Sequence, residues 1–186
     1  MVTGRELKKG NVIEMDGTLY QVLDYQHIKM KRIALLRMKL RDVRGGHTIE
    51  RTFPSNEKLK QVRLDYRDMQ FLYADGNLYH FMDNETYEQI AIDKAQLGDA
   101  LSYLKENDSA RVSTYKDEVI GVELPAAVEL EVVDTEPGFK GNTATGGTKP
   151  ATVETGIIVQ VPLFVEKGTV IKVDTRNGQY LERVGS

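Results

Sequence analysis

The stretch Tyr20-Gln21-Val22-Leu23-Asp24-Tyr25-Gln26-His27-Ile28-Lys29-Met30-Lys31-Arg32-Ile33-Ala34-Leu35-Leu36-Arg37-Met38-Lys39-Leu40-Arg41-Asp42-Val43 decides how the chain is read. Its flanks alternate apolar and polar residues, the pattern of strands with one buried face. It therefore predicts a hairpin from Val22 to Val43 with Lys29-Met30-Lys31-Arg32 at its tip. Arg37, Lys39, Arg41 and Arg44 add positive charge behind the tip, and no acidic residue lies between Gln26 and Arg41. Cations crowded on a turn cannot pair with one another. Such a tip is either a solvated turn or a surface that meets an anion.

Working outward, the same β pattern continues in both directions. Asn11 to Met15 reads as a short strand, and Asp16-Gly17 as a type I′ hairpin turn, because both central residues of that turn need positive φ. Arg44-Gly45-Gly46 turns the chain again, His47 to Phe53 alternates, and Pro54-Ser55-Asn56 stops it. Residues 1–64 therefore predict a small, basic β-barrel. Residues 65–126 repeat the pattern: strands at Met69–Tyr73 and Leu78–Met82 flank an Asp75-Gly76 turn, and Tyr87–Ile92 follows. Asp93 as N-cap with Gln96 in capping-box position predicts a helix whose face carries Leu97, Leu101 and Leu104. Strands at Arg111–Tyr115 and Val119–Leu124 complete a barrel of OB-like composition. Residues 127–186 predict a second such barrel, with a glycine- and threonine-rich loop from Asp134 to Lys149 and a type I′ signal at Asn177-Gly178.

Composition limits the function. The 186 residues are 40% apolar, enough for real cores, and contain no cysteine, hence no disulfide frame and no thiolate chemistry. No charged-then-apolar leader and no long apolar run is present, so a soluble, cytoplasmic protein with no membrane partner is expected. The net charge of −3 is unevenly spread: residues 1–64 hold 14 Lys and Arg against 7 Asp and Glu, while residues 65–126 hold 5 against 13. One end is suited to a polyanion and the middle is not.

Enzyme motifs are missing. His27, His47 and His80 show no metal-ligand spacing, and Gly147 stands where a phosphate loop would place its lysine after Gly141-Asn142-Thr143-Ala144-Thr145-Gly146. Ser102, Ser109 and Ser113 lie in no nucleophile-elbow context, and nothing marks Glu123 or Glu129 as a buried acid. No catalytic residue, cofactor or metal site is expected. Small β-barrels with basic loops are, in contrast, common RNA-binding platforms, whose lysines and arginines position phosphates without reading bases.

A family resemblance sharpens this. Lys149-Pro150-Ala151-Thr152-Val153-Glu154-Thr155-Gly156, followed by Val159-Gln160-Val161-Pro162-Leu163-Phe164-Val165 and Gly168, closely resembles the C-terminal signature of bacterial translation elongation factor P. Tyr25 to Lys29 with Lys39-Leu40-Arg41 resembles that family's first domain, Tyr73 through Asp83 with Tyr87-Glu88-Gln89 its second, and Val128-Glu129-Leu130 through Gly138 its third. The resemblance implies an all-β fold of three barrels, SH3/KOW-like over 1–64 and OB-like over 65–126 and 127–186, in an elongated, tRNA-like shape. It implies a monomeric, non-enzymatic factor whose partners are the 70S ribosome, the peptidyl-tRNA in the P site and rRNA. Such a factor relieves stalling at consecutive prolines.

The residues that the resemblance places at tRNA and ribosome are Lys29, Lys31, Arg32, Arg37 and Lys39 in the first barrel, with Gly141, Asn142 and Thr143 in the last. Relatives carry a modified Lys or Arg at the tip, often between glycines. Here Lys31 and Ile33 flank Arg32, and the segment from His27 to Arg37 is one residue shorter. Arg32 aligns as the candidate for a loop-modifying enzyme and Lys31 is the runner-up. Two other readings stay open: a divergent paralogue with an unmodified loop, and a general single-stranded RNA-binding protein.

Overall fold

Residues 1–138 and 147–185 are described in the computed structural model, with 59% of those residues in strands and only 7% helical. This is the all-β fold expected. The strands form three antiparallel sheets, one after another along the sequence.

The first sheet holds β1 (Val2–Thr3), β2 (Val12–Met15), β3 (Thr18–Met30), β4 (Ile33–Asp42), β5 (Thr48–Pro54) and β6 (Lys58–Val62), in the order β1-β6-β2-β3-β4-β5. The Asp16-Gly17 turn forms as the sequence predicts, with φ of 50° and 79°. Strand β6 escapes a sequence reading because only its Leu59 and Val62 are buried. Even so it pairs with both β1 and β2. Leu7, Ile13, Val22, Leu36, Met38, Leu40, Phe53 and Leu59 form the core beneath this sheet.

The second sheet holds β7 (Asp65–Asp75), β8 (Leu78–Asp83), β9 (Gln89–Asp93), β10 (Ser109–Tyr115) and β11 (Glu118–Glu123), in the order β11-β10-β7-β8-β9. Two expectations shift. The β7–β8 turn is Gly76-Asn77, since Asp75 pairs with Leu78, and only Gly76 takes a positive φ (59°). The helix shrinks to one turn, α1 (Lys94–Leu97), followed by a 3-10 segment over Gly98–Ser102. Asp93 does cap it, accepting from the Ala95 amide at 2.9 Å. Gly98, at φ 51°, leaves the helical region and ends it. Leu97 and Leu104 are nevertheless buried, so the apolar spacing reports burial correctly and helix length wrongly.

The third sheet holds β12 (Ala127–Thr135), β13 (Thr148–Val153), β14 (Ile158–Pro162), β15 (Val170–Asp174) and β16 (Tyr180–Arg183), in the order β14-β13-β12-β15-β16. Valines dominate its core: Val128, Val132, Val153, Val159, Val161, Val165 and Val173 surround Leu130 and Ile171. The glycine-rich loop is shorter than expected at both ends, because Thr135 is still paired, with Ala151. Gly141, Asn142 and Thr143 lie outside the described residues.

One turn design recurs in every sheet. Asp42, Asp83 and Asp174 each end a strand, and each takes its backbone acceptor five residues on, at His47, Glu88 and Gln179. The fourth residue after each aspartate donates back to its carbonyl and sits at positive φ: Gly46 (74°), Tyr87 (61°) and Gly178 (73°). The buried carboxylates accept amide hydrogens from inside their own loops: Arg44 and Gly45, Glu85 and Thr86, and Arg176. Asn177-Gly178 therefore closes a four-residue loop rather than the expected two-residue turn, with only Gly178 at positive φ.

Packing divides the chain into two compact units, residues 1–66 with 113–121, and residues 67–112 with 122–186. Within the first, Ile120 and Tyr115 join Val12, Leu19, Val62, Val43 and Leu64 in a single apolar cluster. The turn between β10 and β11 is Lys116-Asp117, both at positive φ (50° and 64°). It contains no glycine, so it gave no sequence signal.

Candidate nucleic-acid interface

The predicted hairpin forms as a long arm. Strands β3 and β4 pair from Tyr20↔Asp42 out to Met30↔Ile33, leaving Lys31-Arg32 as a two-residue turn. A bulge between Val22 and Asp24 interrupts the ladder near its base. Strand β5 accompanies β4 only as far as the Leu35↔Pro54 pair. Beyond it the arm is a bare two-stranded ribbon that reaches roughly 10 Å further at about 3.4 Å per residue. Neither Lys31 nor Arg32 takes a positive φ, so the tip lacks the primed turn that matches strand twist.

Alternation sorts the arm's side chains onto two faces. Leu36, Met38 and Leu40 point into the core, so Arg37, Lys39 and Arg41 between them stand on the solvent face. The cross-strand register places Gln26 beside Arg37 on that face. Lys29 lies on the other face, opposite Ala34. Lys29, Lys31, Arg32, Arg37 and Lys39 are all exposed.

What these cations do not do is equally informative. Among the described residues none of the five makes an ion pair or a side-chain hydrogen bond, while other cations of the same unit are engaged. Lys9 meets Asp24 at 2.8 Å, and Lys60 meets Glu14 at 2.7 Å. Arg44, grouped with the tip cations by sequence, is held by Glu118 at 2.9 Å and so does not belong with them. Neutralised cations lose their reach for phosphate; the arm's cations keep theirs. Lys39 stands between Asp24 and Glu50 in the cross-strand register without an ion pair to either, and two carboxylates of this unit are already satisfied. Hydrogen bonding from Lys60 keeps the Glu14 carboxyl below its ordinary range, and Lys9, then the Tyr25 amide, do the same for Asp24.

The arrangement can position a polyanion and offers no covalent chemistry. No group of His, Asp and Glu among the described residues could hold a metal ion. None of their helices is long and apolar enough to cross a membrane. The glycine-rich loop is rooted by Lys149, a buried lysine whose Nζ donates to the Glu136 carbonyl at 2.6 Å. Gly138 also packs so closely on the Leu163 carbonyl that no side chain fits there. Sequence reasoning missed Met30 and Ile33, which stand 62% and 60% exposed at the tip. Counting the strand alternation back from Arg37 would have placed Ile33 on the solvent face, whereas Met30 joins it only through the cross-strand register.

Comparison with known proteins settles the family. The description "Elongation factor P (EF-P) KOW-like domain" matches residues 3–59, "Elongation factor P (EF-P) OB domain" residues 64–122, and "Elongation factor P, C-terminal" residues 128–183. The chain belongs to the elongation factor P family. Elongation factor P of Acetivibrio thermocellus is 51% identical over 185 residues, covering 99% of this chain and all (100%) of that one. That of Symbiobacterium thermophilum is 53% identical over 184 residues, covering 98% and 100%. In fold, the chain is similar to a eukaryotic translation initiation factor 5A from Methanococcus jannaschii, with a TM-score of 0.53 at 21% identity over 67% of this chain and 90% of that one. As a member of the elongation factor P family the protein is a non-enzymatic translation elongation factor, and its partner is the ribosome.

Proposed function

We propose that this elongation factor binds the ribosome beside the peptidyl-tRNA and speeds peptide bond formation where prolines follow one another. The observation that carries the reading is the arm: exposed cations along a paired hairpin, none of them in an ion pair among the described residues. Lys29, Lys31 and Arg32 meet the CCA end of the peptidyl-tRNA, while Arg37 and Lys39 hold phosphates further back, including those of rRNA. Proline needs the help because its ring fixes φ and restricts how the nascent chain lies. Holding two reacting ends in register accelerates a reaction without any catalytic group.

The same reading divides the chain at 1–64, 65–126 and 127–186 and makes it a cytoplasmic monomer. It places Gly141, Asn142 and Thr143 near the exit-site codon. It also makes Arg32, or failing it Lys31, the residue a modifying enzyme would extend. The test is translation of a polyproline reporter with and without the protein, comparing Lys31→Ala and Arg32→Ala with the parent. Loss of stalling relief in at least one variant of unchanged thermal stability is expected; full relief by both would reduce the tip to a solvated turn. Intact mass measurement of protein from its natural host tests the modification.

A further inference from the structure

The end of the arm carries an apolar surface that the charge pattern conceals. On the solvent face, the row Arg37, Lys39, Arg41 continues toward the tip not as cations but as Leu35 and Ile33, with Ile28 and Met30 directly opposite them. Ile28↔Leu35 and Met30↔Ile33 are cross-strand pairs, so the four side chains adjoin on one face of a two-residue-wide ribbon. Ile28 and Leu35 are half-buried, whereas Met30 and Ile33 are 62% and 60% exposed. Solvent-facing strand positions seldom place two large aliphatic residues side by side at a hairpin end, where a polar pair would cost less. Lys31 and Arg32 border the patch at the turn and Arg37 borders it toward the base, while the nearest carboxylates in the register, Asp24 and Glu50, lie one step further back beside Lys39.

Apolar surface ringed by unpaired cations fits a ligand that is itself flat, weakly polar and linked to negative charge: an unstacked nucleotide base with its phosphates. We infer that Met30 and Ile33 form a packing platform for the base of an unpaired RNA 3′ end, with the cations around it holding the adjoining phosphates. The inference rests on the function proposed above and specifies how the tip engages its partner. Apolar area supplies what a covalent extension would otherwise add, so the tip is complete in its unmodified form. The turn's geometry agrees. Without positive φ or glycine at Lys31 or Arg32, the ribbon presents Met30 and Ile33 from a defined register instead of a pliable loop. Methionine suits the role, since its flexible thioether adapts to a flat partner.

The test uses full-length protein of verified unmodified mass in a reconstituted translation system reading a diprolyl template. The variants are Met30→Thr with Ile33→Thr, which preserve strand propensity, and Met30→Leu, which preserves apolar area. The inference expects the parent to accelerate diprolyl formation, the double threonine variant to lose at least ~10-fold of that acceleration, and Met30→Leu to retain it within ~2-fold. Ribosome affinity should change less than ~3-fold in the double variant, because the basic row is untouched; thermal melting verifies that each variant is folded. A double threonine variant as active as the parent overturns the inference and leaves the proposed function standing. An inactive unmodified parent also overturns it. In that case protein from the natural host decides the proposed function separately, by relieving the stall or failing to. A parent that self-associates through this face at assay concentrations, with the association abolished in the double variant, would assign the patch to a second copy and overturn the RNA platform.

Discussion

Arg44 grips Glu118 with two parallel hydrogen bonds, Nε to Oε1 at 3.1 Å and Nη2 to Oε2 at 2.9 Å, across 74 residues of sequence. The pair ties the loop after β4 to the start of β11 inside the first compact unit. Both side chains are partly exposed, 38% and 54%, so solvent screens the attraction. A double-mutant cycle of Arg44→Ala and Glu118→Ala should give a coupling energy of about 0.5 kcal/mol at low salt, shrinking as salt rises. Urea unfolding measures it, and a coupling of zero at low salt would show the pair to be ornamental.

The three loop aspartates set an acid limit on stability. Loop amides from Gly45 and Arg44 hold the Asp42 carboxyl below its ordinary range, amides of Glu85 and Thr86 do so for Asp83, and the Arg176 side chain, then its amide, for Asp174. A carboxyl depressed in the folded state stabilises above its unfolded pKa of about 3.9, and that stabilisation drains away as pH falls through the folded value. Melting temperature should therefore drop steeply below about pH 4. Asparagine keeps the acceptor but cannot titrate, so replacing all three by Asn should flatten that drop while leaving neutral-pH melting lower. An unchanged acid profile in the triple variant would refute the assignment.

Tyr87 stands at φ 61° in a position that the sister loops give to Gly46 and Gly178. An L residue in that region costs roughly 1–2 kcal/mol, against about 0.5–1 kcal/mol for the extra freedom glycine brings to the unfolded chain. Tyr87→Gly should stabilise the protein by about 0.5 kcal/mol net, since Tyr87 is 72% exposed and leaves no cavity. Denaturant midpoints measure this; a clear loss of stability would mean the ring packs in a way the exposure does not suggest.

The arm cations should show themselves in salt dependence. Deleting a cation that neutralises one phosphate lowers the slope of log affinity against log salt by about 1. Arg37→Ala and Lys39→Ala are each expected to weaken ribosome binding at low salt and to reduce that slope by about 1 apiece. Arg41→Ala is a comparison on the same face, nearer the base of the arm. Parent-like slopes in both variants would remove Arg37 and Lys39 from the interface.

How much of this was legible beforehand depended on which physics each segment obeys. Period-two burial exposed most of the strands, and Asp16-Gly17 announced its turn because glycine advertises positive φ. Lys116-Asp117 adopts the same geometry without glycine and stayed silent. The apolar spacing of Leu97, Leu101 and Leu104 predicted a helix that Gly98 cuts to one turn; periodicity senses burial more reliably than backbone conformation. At the site, cation identities were readable from composition, but Arg44's capture by Glu118 was not, because the partner is remote in sequence. The Met30–Ile33 surface needed register, and register is a property of the folded ladder.

The apolar cluster shared by Val12, Leu19, Val62, Tyr115 and Ile120 sets a schedule for biosynthesis. A nascent chain that has emerged only through Val62 lacks Tyr115 and Ile120 and keeps part of its earliest hydrophobic surface wet. Completion waits until the segment 113–121 clears the exit tunnel, well into the second half of synthesis. The core from Leu7 to Leu59 can close before then, so the β10–β11 hairpin arrives as the late cover on Val12, Leu19 and Val62.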